Sequence, residues 1–370
     1  MNTPLSEQRY DVAIIGAGVA GSYCAERLHS AGLNVCVIDK SRGTGGRASS
    51  KRLAANSSDQ SVSQSCELGA PFFHLEDQQL ASSIHRWLAA CVIAPWPAAD
   101  QHDQIAYTGT PTMSALTRHM IKGCDFYGNE KISIIESDHQ GWRLLNESYQ
   151  CRLWAKQLII TAPAAQSAVL LSGSDAPETW LLDAHRATLA CSPQWASVVT
   201  LTDTCNTMMS PLELDCLKSL PSVIELDNEP IARIICDGDK PQRTPLQSRW
   251  VLQADQDWSQ QHIDAEAQWV SEQLLSCFIV WLNKRQDYVF AAKDFSLLPA
   301  HRWRLGRHHA FLSADMALTA DSNNRSKMSL DYRWSQSLGV AVAADWLGEG
   351  SVYAAMKSAD NLVNAMLAST

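Results

Sequence analysis

Three glycines and one acidic residue near the N-terminus have the types and spacing needed to bind a dinucleotide. Gly16, Gly18 and Gly21 form a G-x-G-x-x-G turn, and Asp39 follows the last of them. In such a turn the first glycine permits a tight bend, the second lets a pyrophosphate approach the backbone, and the third lets a helix pack closely on a strand. An acid about 20 residues further on accepts hydrogen bonds from the adenosine ribose and disfavours a phosphate on that sugar.

The elements that must position these residues can be read from the same stretch. Residues 12–15 form a short apolar run typical of a buried parallel strand, and residues 35–38 form a second run that ends at Asp39. A helix that opens at the glycines would direct unpaired N–H groups and the positive end of its dipole at the phosphates. Because the motif follows a strand, opens a helix and is followed by an acid, the sequence predicts dinucleotide binding rather than a glycine-rich turn without function.

A second glycine-rich run begins directly after the acid. Arg42 and Arg47 flank Gly43, Gly45 and Gly46. Two guanidinium groups on a turn of this kind could cover the same pyrophosphate from the other side. A solvated basic loop is the alternative interpretation of such a run when it is taken alone.

The run Asp-Lys-Ser-Arg-Gly-x-Gly-Gly-Arg, from Asp39 to Arg47, resembles the flavin amine-oxidase superfamily and, more closely, its bacterial renalase branch. Further similarity extends over nearly the whole chain, at residues 66–73, 109–118, 249–259 and 301–304. The resemblance implies FAD rather than NAD as cofactor. It also implies oxidation of a dihydronicotinamide isomer of NAD(P), with hydride passing to the flavin and O₂ accepting the electrons to give H₂O₂.

Motif and resemblance together give a set of cofactor-binding candidates: Gly16, Gly18, Ala20, Gly21, Asp39, Lys40, Arg42, Gly46, Arg47, Pro71, Phe72, Ile132 and Asp315. Pro71 stands where the family usually has Gln, which removes a side-chain donor and a backbone N–H. Ile132 lies on a strand that is expected to contact the adenine. Asp315 stands in Ser-Ala-Asp-Met, at the place of the family's Gly-Asp-Trp, with Ala314 in place of the glycine.

The substrate-pocket candidates are Gln253 and Trp334, as walls that hold substrate against the flavin ring. Relatives often have His at the position of Gln253, and glutamine can hydrogen-bond a carboxamide but cannot titrate. Tyr332 and Ser337 replace family glycines at an expected helix start beneath the ring, where added bulk could occlude it. No residue is assigned as catalytic, and no metal site is predicted.

The predicted fold class is α/β, with a Rossmann-like FAD-binding domain and a second, mixed-sheet substrate domain. The FAD-binding domain is assigned to residues 1–75, 109–164 and 305–370, and the substrate domain to 76–108 and 165–304. A hydrophobic fraction of 46% with 13 Trp indicates a globular chain, and a net charge of −9 argues against nucleic-acid binding. Eleven cysteines without a C-x-x-C pair, a polar N-terminus and no long apolar run favour a cytoplasmic protein away from membranes.

Three alternatives to the oxidase remain at this point. The chain could be a flavin amine oxidase with an unknown amine substrate, although no Cys-containing covalent-flavin motif is evident near its C-terminus. It could be a non-catalytic protein that holds FAD or another adenine dinucleotide, as the altered C-terminal half suggests. An NAD-linked dehydrogenase is disfavoured by residues 41–52. The predicted partners are therefore a small-molecule substrate and O₂.

Overall fold

The computed structural model describes residues 9–52, 65–101, 104–227, 230–243, 249–286, 288–309 and 331–369. These residues form ten helices: α1 Val19–Ser30, α2 Ala81–Ala89, α3 Met113–Met120, α4 Ala164–Ser172, α5 Glu178–Leu189, α6 Asp203–Met208, α7 Pro211–Lys218, α8 Gln256–Gln261, α9 Ala267–Asn283 and α10 Val352–Ala368. The first strands are β1 Arg9–Ile15, β2 Val35–Ile38, β3 Ser50–Arg52, β4 Ser65–Glu67, β5 Phe73–His74, β6 Ile93–Pro95, β7 Ala106–Gly109, β8 Asp125–Tyr127 and β9 Ile134–Asp138. The others are β10 Gly141–Leu145, β11 Cys151–Ile160, β12 Cys191–Leu201, β13 Val223–Glu225, β14 Ile231–Cys236, β15 Arg249–Ala254, β16 Phe295–His308, β17 Tyr332–Ser335 and β18 Val340–Ala343.

The first sheet has eight strands, with the path β17-β18-β11-β1-β2-β8 and the hairpin β9–β10 attached to β11. The five strands from β18 to β8 run parallel to one another, whereas β17 is antiparallel to β18 and β10 is antiparallel to β11. Val12 and Ile14 face a cluster that contains α1 and α10, whereas Ala13 and Ile15 face a cluster that contains α4 and α5. Burial of both faces explains why these strands read as continuous apolar runs.

The second sheet has five strands in the order β13-β14-β15-β12-β16. Each of its neighbouring pairs is antiparallel, so the predicted mixed sheet is wrong. Parallel neighbours would need crossover connections of a dozen or more residues, but β13 and β14 follow each other closely and form a hairpin with one another. Helix α9 covers one face of this sheet through an apolar cluster centred on Phe278, and the other face turns towards β4.

Strands β9 and β10 form an antiparallel hairpin, and Ile132 lies two residues before β9, not on the strand where it was expected. Residues 76–108 contact both parts of the molecule: Trp87 of α2 packs on Tyr23 of α1, while Trp96 packs on Phe72 beside the second sheet. The predicted α/β class is confirmed.

Candidate dinucleotide and substrate site

The G-x-G-x-x-G turn has the backbone geometry that phosphate binding requires. Gly16 has a φ of +109°, in the left-handed region that favours glycine, and its N–H donates to the Ile38 carbonyl at 2.8 Å. A Cβ at Gly21 would lie 2.0 Å from the Gly16 carbonyl oxygen, so the close contact between helix and turn excludes any side chain there. A Cβ at Gly18 would meet nothing within 4 Å. The turn is therefore packed tightly beneath Gly21 and open above Gly18.

Helix α1 begins at this opening, and the N–H groups of its first turn can bind a phosphate. Its N-cap is Gly18, no side chain caps its first N–H groups, and its first turn, which includes Ala20, carries no acid. Uncapped N–H groups and the positive end of a helix dipole bind phosphate. These residues fit the pyrophosphate of a dinucleotide.

Asp39 lies at the end of β2, where it was expected, and it organises the loops on both sides. One carboxylate oxygen accepts from the N–H of Ala17 and the other from the N–H of Ser41, each at 2.7 Å. The N–H of Glu130 donates to the Asp39 carbonyl at 2.9 Å, which brings the chain past the acid to the buried Ile132. The candidate ribose and adenine positions therefore lie side by side.

The second glycine-rich run lies against the first. The N–H of Gly45 donates to the Ala17 carbonyl at 2.8 Å, and Gly18 and Gly45 form a parallel bridge. A Cβ at Gly46 would be 3.4 Å from the Cα of Gly18. Lys40 and Arg42 are exposed beside this contact. The interpretation of the run as an unconnected solvated loop is therefore wrong.

Arg47 connects this run to the far end of the first sheet. Its Nη2 donates to Oδ1 of Asp345 at 2.6 Å, with the Asp345 side chain only 10% exposed, and its Nη1 lies 3.5 Å from the Gly306 carbonyl. Asp345 lies two residues after the end of β18, and α10 begins shortly afterwards with Ser351 as its N-cap. Sequence reasoning missed Asp345, although the apolar run 340–343 followed by Ala-Asp-Trp was a signal for it.

The predictions around the last strand need correction. Asp315 and Ala314 lie outside the described residues. Tyr332 belongs to strand β17 and Ser337 to the turn that follows it, so the predicted helix start beneath a flavin ring is wrong at these positions. The helix that follows the last strand of the first sheet is α10, which begins at Val352.

The two substrate-pocket candidates lie in different layers of the molecule. Trp334 is on the edge strand β17 and packs against the apolar cluster that holds α1 and α10. Gln253 is on β15 of the second sheet, and its Nε2 donates to the carbonyl of Gly69 at 2.6 Å. The structure thus does not bring the two together, and the amide nitrogen of Gln253 is engaged by main chain rather than free for a substrate carboxamide.

Residues 67–72, which we call the cover segment, cross between the two sheets. The N–H of Ala70 donates to the Arg47 carbonyl at 3.0 Å, and a Cβ at Gly69 would lie 2.0 Å from that oxygen. Pro71 presents its carbonyl to the hydroxyl of Thr108 at 2.9 Å. Phe72 packs edge-on against Trp96. The segment therefore holds Pro71 and Phe72 between the glycine-rich run and the second sheet.

One face of the second sheet presents polar groups to the cover segment. Gln253 and His301 are both register partners of Ala196 on β12, so the small alanine lies between their two side chains. Burial, followed by repulsion from Lys51, lowers the pKa of His301. Trp303 lies 3.4 Å from the Cβ position of Gly69. This neutral imidazole and the Trp303 ring were not among the predicted site residues, although His-Arg-Trp was a matched motif.

Comparisons with known proteins agree with this architecture. A family profile for NAD(P)-binding Rossmann-like domains matches residues 14–87. Putrescine oxidase with bound putrescine shares 13% sequence identity over 98% of this chain and 99% of its own, with a TM-score of 0.60. A candidate protoporphyrinogen oxidase from Exiguobacterium sp. 255-15 shares 10% identity over 98% and 99% of the two chains, with a TM-score of 0.65. The chain has the Rossmann-like fold of these oxidases.

None of the described helices combines the length and the apolar composition needed to cross a bilayer.

Proposed function

We propose that this chain is an FAD-dependent oxidoreductase, and specifically an oxidase of a dihydronicotinamide-type dinucleotide that passes its electrons to O₂ and releases H₂O₂. The observation that carries the cofactor assignment is the contact between the two glycine-rich runs at Gly18 and Gly45, with Arg47 held by Asp345. A simple NAD fold needs only the first run. The second run packs its backbone against Gly18 and would place the guanidinium groups of Arg42 and Arg47 near a pyrophosphate bound there.

The residues proposed to hold FAD divide by the part of the molecule they would meet. Asp39 and Ile132 suit the adenosine, the α1 N-terminus and Arg47 suit the pyrophosphate, and the cover segment suits the ring. Bound FAD would supply hydride acceptance and the reaction with O₂. The protein would orient the substrate and exclude water. The fold shared with two oxidases is compatible with this function.

The positive charge on β3 supports a dinucleotide substrate over an amine. Lys51 and Arg52 on β3 are exposed, and Lys51 is close enough to His301 to lower its pKa. These two positive charges attract a pyrophosphate and repel a protonated amine such as putrescine. His301 is neutral at physiological pH, so it can donate or accept one hydrogen bond without adding a charge next to the reacting ring.

The domain division stays a proposal: residues 1–75, 109–164 and 305–370 would bind FAD, and residues 76–108 and 165–304 would form the substrate part. Gln253 would act indirectly, by holding Gly69. Trp334 would support α10 rather than contact substrate.

The function can be tested by anaerobic mixing with candidate reductants. Dihydronicotinamide isomers should bleach the flavin absorbance within one turnover, and admission of air should restore it with one H₂O₂ per substrate oxidised. Putrescine and simple aromatic amines should leave the spectrum unchanged. Bleaching by amines alone would replace the proposal with the amine-oxidase alternative, and an unreactive flavin would favour the non-catalytic alternative.

A further inference from the structure

A cluster of buried charges joins the cover segment to the second sheet. Lys240 donates from Nζ to Oε2 of Glu67 at 2.5 Å, and Arg243 Nη2 lies 2.7 Å from both oxygens of the same carboxylate. Lys240 Nζ is also 3.0 Å from Oδ1 of Asp237. The side chains of Glu67 and Asp237 are fully buried, and that of Lys240 is 1% exposed.

Glu67 is the point at which three parts of the chain meet. Its Oε1 accepts from the hydroxyl of Ser50 at 2.7 Å and from the N–H of Met113 at 3.2 Å. Ser50 follows the Arg47 turn, and Met113 is the first residue of α3. Glu67 itself opens the cover segment. The carboxylate therefore ties the Arg47 turn, α3 and the cover segment to two cations in the segment that follows β14 of the second sheet.

The ionisation of the cluster is set by its geometry. Burial would raise the pKa of Glu67, but the charges of Lys240 and Arg243 outweigh burial and lower it to about 2. Burial would lower the pKa of Lys240, but the negative charges of Asp237 and Glu67 outweigh burial and raise it. Glu67 and Lys240 thus form a charged pair throughout the physiological range.

Stability alone gives a weak reason for such a cluster. Removing several charges from water costs several kcal/mol per ion, and apolar residues of similar volume often stabilise a core equally well. An ion cluster adds a geometric constraint, because each hydrogen bond fixes the position of a carboxylate oxygen. The cover segment requires such precision, since Gly69 packs against the Arg47 carbonyl without room for a Cβ.

We infer that Lys240 and Arg243 are positioning residues, which hold the cover segment in register with the Arg47 turn by fixing Glu67. They act through Glu67 and do not touch the reacting atoms. The proposal rests on the proposed function only in that the cover segment faces the flavin. The order of residues 67–72, on which the proposal depends, can be measured in the protein without cofactor.

The test compares Lys240→Met with Asp183→Asn as a matched control. Asp183 pairs with Arg333 at 2.6 Å in an equally buried ion pair between α5 and β17, away from the cover segment. Hydrogen exchange is measured for the peptide covering residues 65–73 in the protein as purified. The Ala70 amide should exchange about tenfold faster or more in Lys240→Met, and it should stay at the wild-type rate in Asp183→Asn. FAD affinity should fall about tenfold in Lys240→Met only.

A second variant separates charge from geometry. Arg243→Lys keeps the positive charge but loses the planar fork that contacts both oxygens of Glu67. It should fold like the wild type, and its Ala70 amide should exchange several-fold faster. Equal exchange in Lys240→Met, Arg243→Lys and the wild type would overturn the inference, as would equal changes in Lys240→Met and Asp183→Asn. A wild type that does not bind added FAD would refute the proposed function, and the exchange comparison would still decide the inference.

Discussion

Substitutions at two glycines of the first turn, Gly18 and Gly21, should affect folding and cofactor binding to different degrees. Gly18 has φ −72° and ψ −172°, which any residue adopts, and its Cβ would point into open space. Gly18→Ala should therefore change the free energy of unfolding of the apoprotein by no more than about 0.5 kcal/mol. In Gly21→Ala the new Cβ would be 2.0 Å from the Gly16 carbonyl oxygen. Forcing apart such rigid backbone costs about 1–3 kcal/mol or more, against a gain of about 0.5–1 kcal/mol from helix propensity.

The order of effects should reverse for FAD. The methyl group of Gly18→Ala would occupy the space that a pyrophosphate needs, so at least one charge-assisted hydrogen bond from the α1 N-terminus would be lost. Such a bond contributes about 1.5–3 kcal/mol, which corresponds to about 10- to 150-fold in the dissociation constant. Gly173→Ala is the control, because Gly173 also faces open space, at the end of α4 away from the glycine turns.

The assay pairs urea unfolding of the apoprotein with FAD titration followed by quenching of flavin fluorescence. Gly18→Ala should unfold at the wild-type urea midpoint and bind FAD at least about tenfold more weakly. Gly173→Ala should match the wild type in both. The reasoning would be refuted if Gly18→Ala bound FAD normally, or if it unfolded as readily as Gly21→Ala.

Three further predictions concern charged and titrating groups. Asp345→Asn should weaken FAD binding about tenfold, because Arg47 loses its anchor, and titration of the apoprotein would show it; unchanged affinity would remove Asp345 from the site. Because the folded pKa of Glu67 is lowered to about 2, its ionised form stabilises the protein above its unfolded pKa of about 4.3, and this contribution is lost as the pH falls towards 2. Glu67→Gln should therefore flatten the acid side of the stability profile measured by urea unfolding, and an unaltered profile would contradict the assignment. Because the pKa of His301 is lowered in the folded protein, this side chain binds more protons in the unfolded chain below about pH 6.5. Wild-type stability should therefore decrease as the pH is lowered through this range, and His301→Gln should reduce that decrease.

The parts of the site that could be predicted are those set by short-range patterns. The strand, the glycine turn and the acid at the next strand end are contiguous in sequence, and each residue type has one physical reason for its place. Asp39 lies at the end of β2 as the pattern predicts, and its contacts with both loops follow from that position. The Arg47 turn was also found from local sequence.

The C-terminal part could not be placed in the same way. Strand β18 is recognised as the last parallel strand only by its pairing with β11, a contact between residues far apart in sequence. The apolar run 340–343 is short, and the family's Gly-Asp-Trp was matched to Ala314 and Asp315 instead, so Asp345 was passed over. Tyr332 was assigned to a helix start only from the family resemblance around Trp334, yet its pairing with Ala343 makes it part of an edge strand.

The buried charge cluster shows a second limit of sequence reasoning. Lys240 and Arg243 lie in a polar stretch that reads as a surface loop, and only the folded chain brings them to Glu67. Long-range ion pairs leave no periodic signal, so this part of the site emerges from tertiary packing alone.

The central claim is that the two glycine-rich runs hold FAD, and the most direct measurement is the visible absorption spectrum of the purified protein, followed by release and identification of the bound flavin. The account predicts a yellow protein that carries one FAD per chain, or a colourless one that acquires one FAD per chain on reconstitution. A protein that remains colourless after incubation with excess FAD would contradict the account.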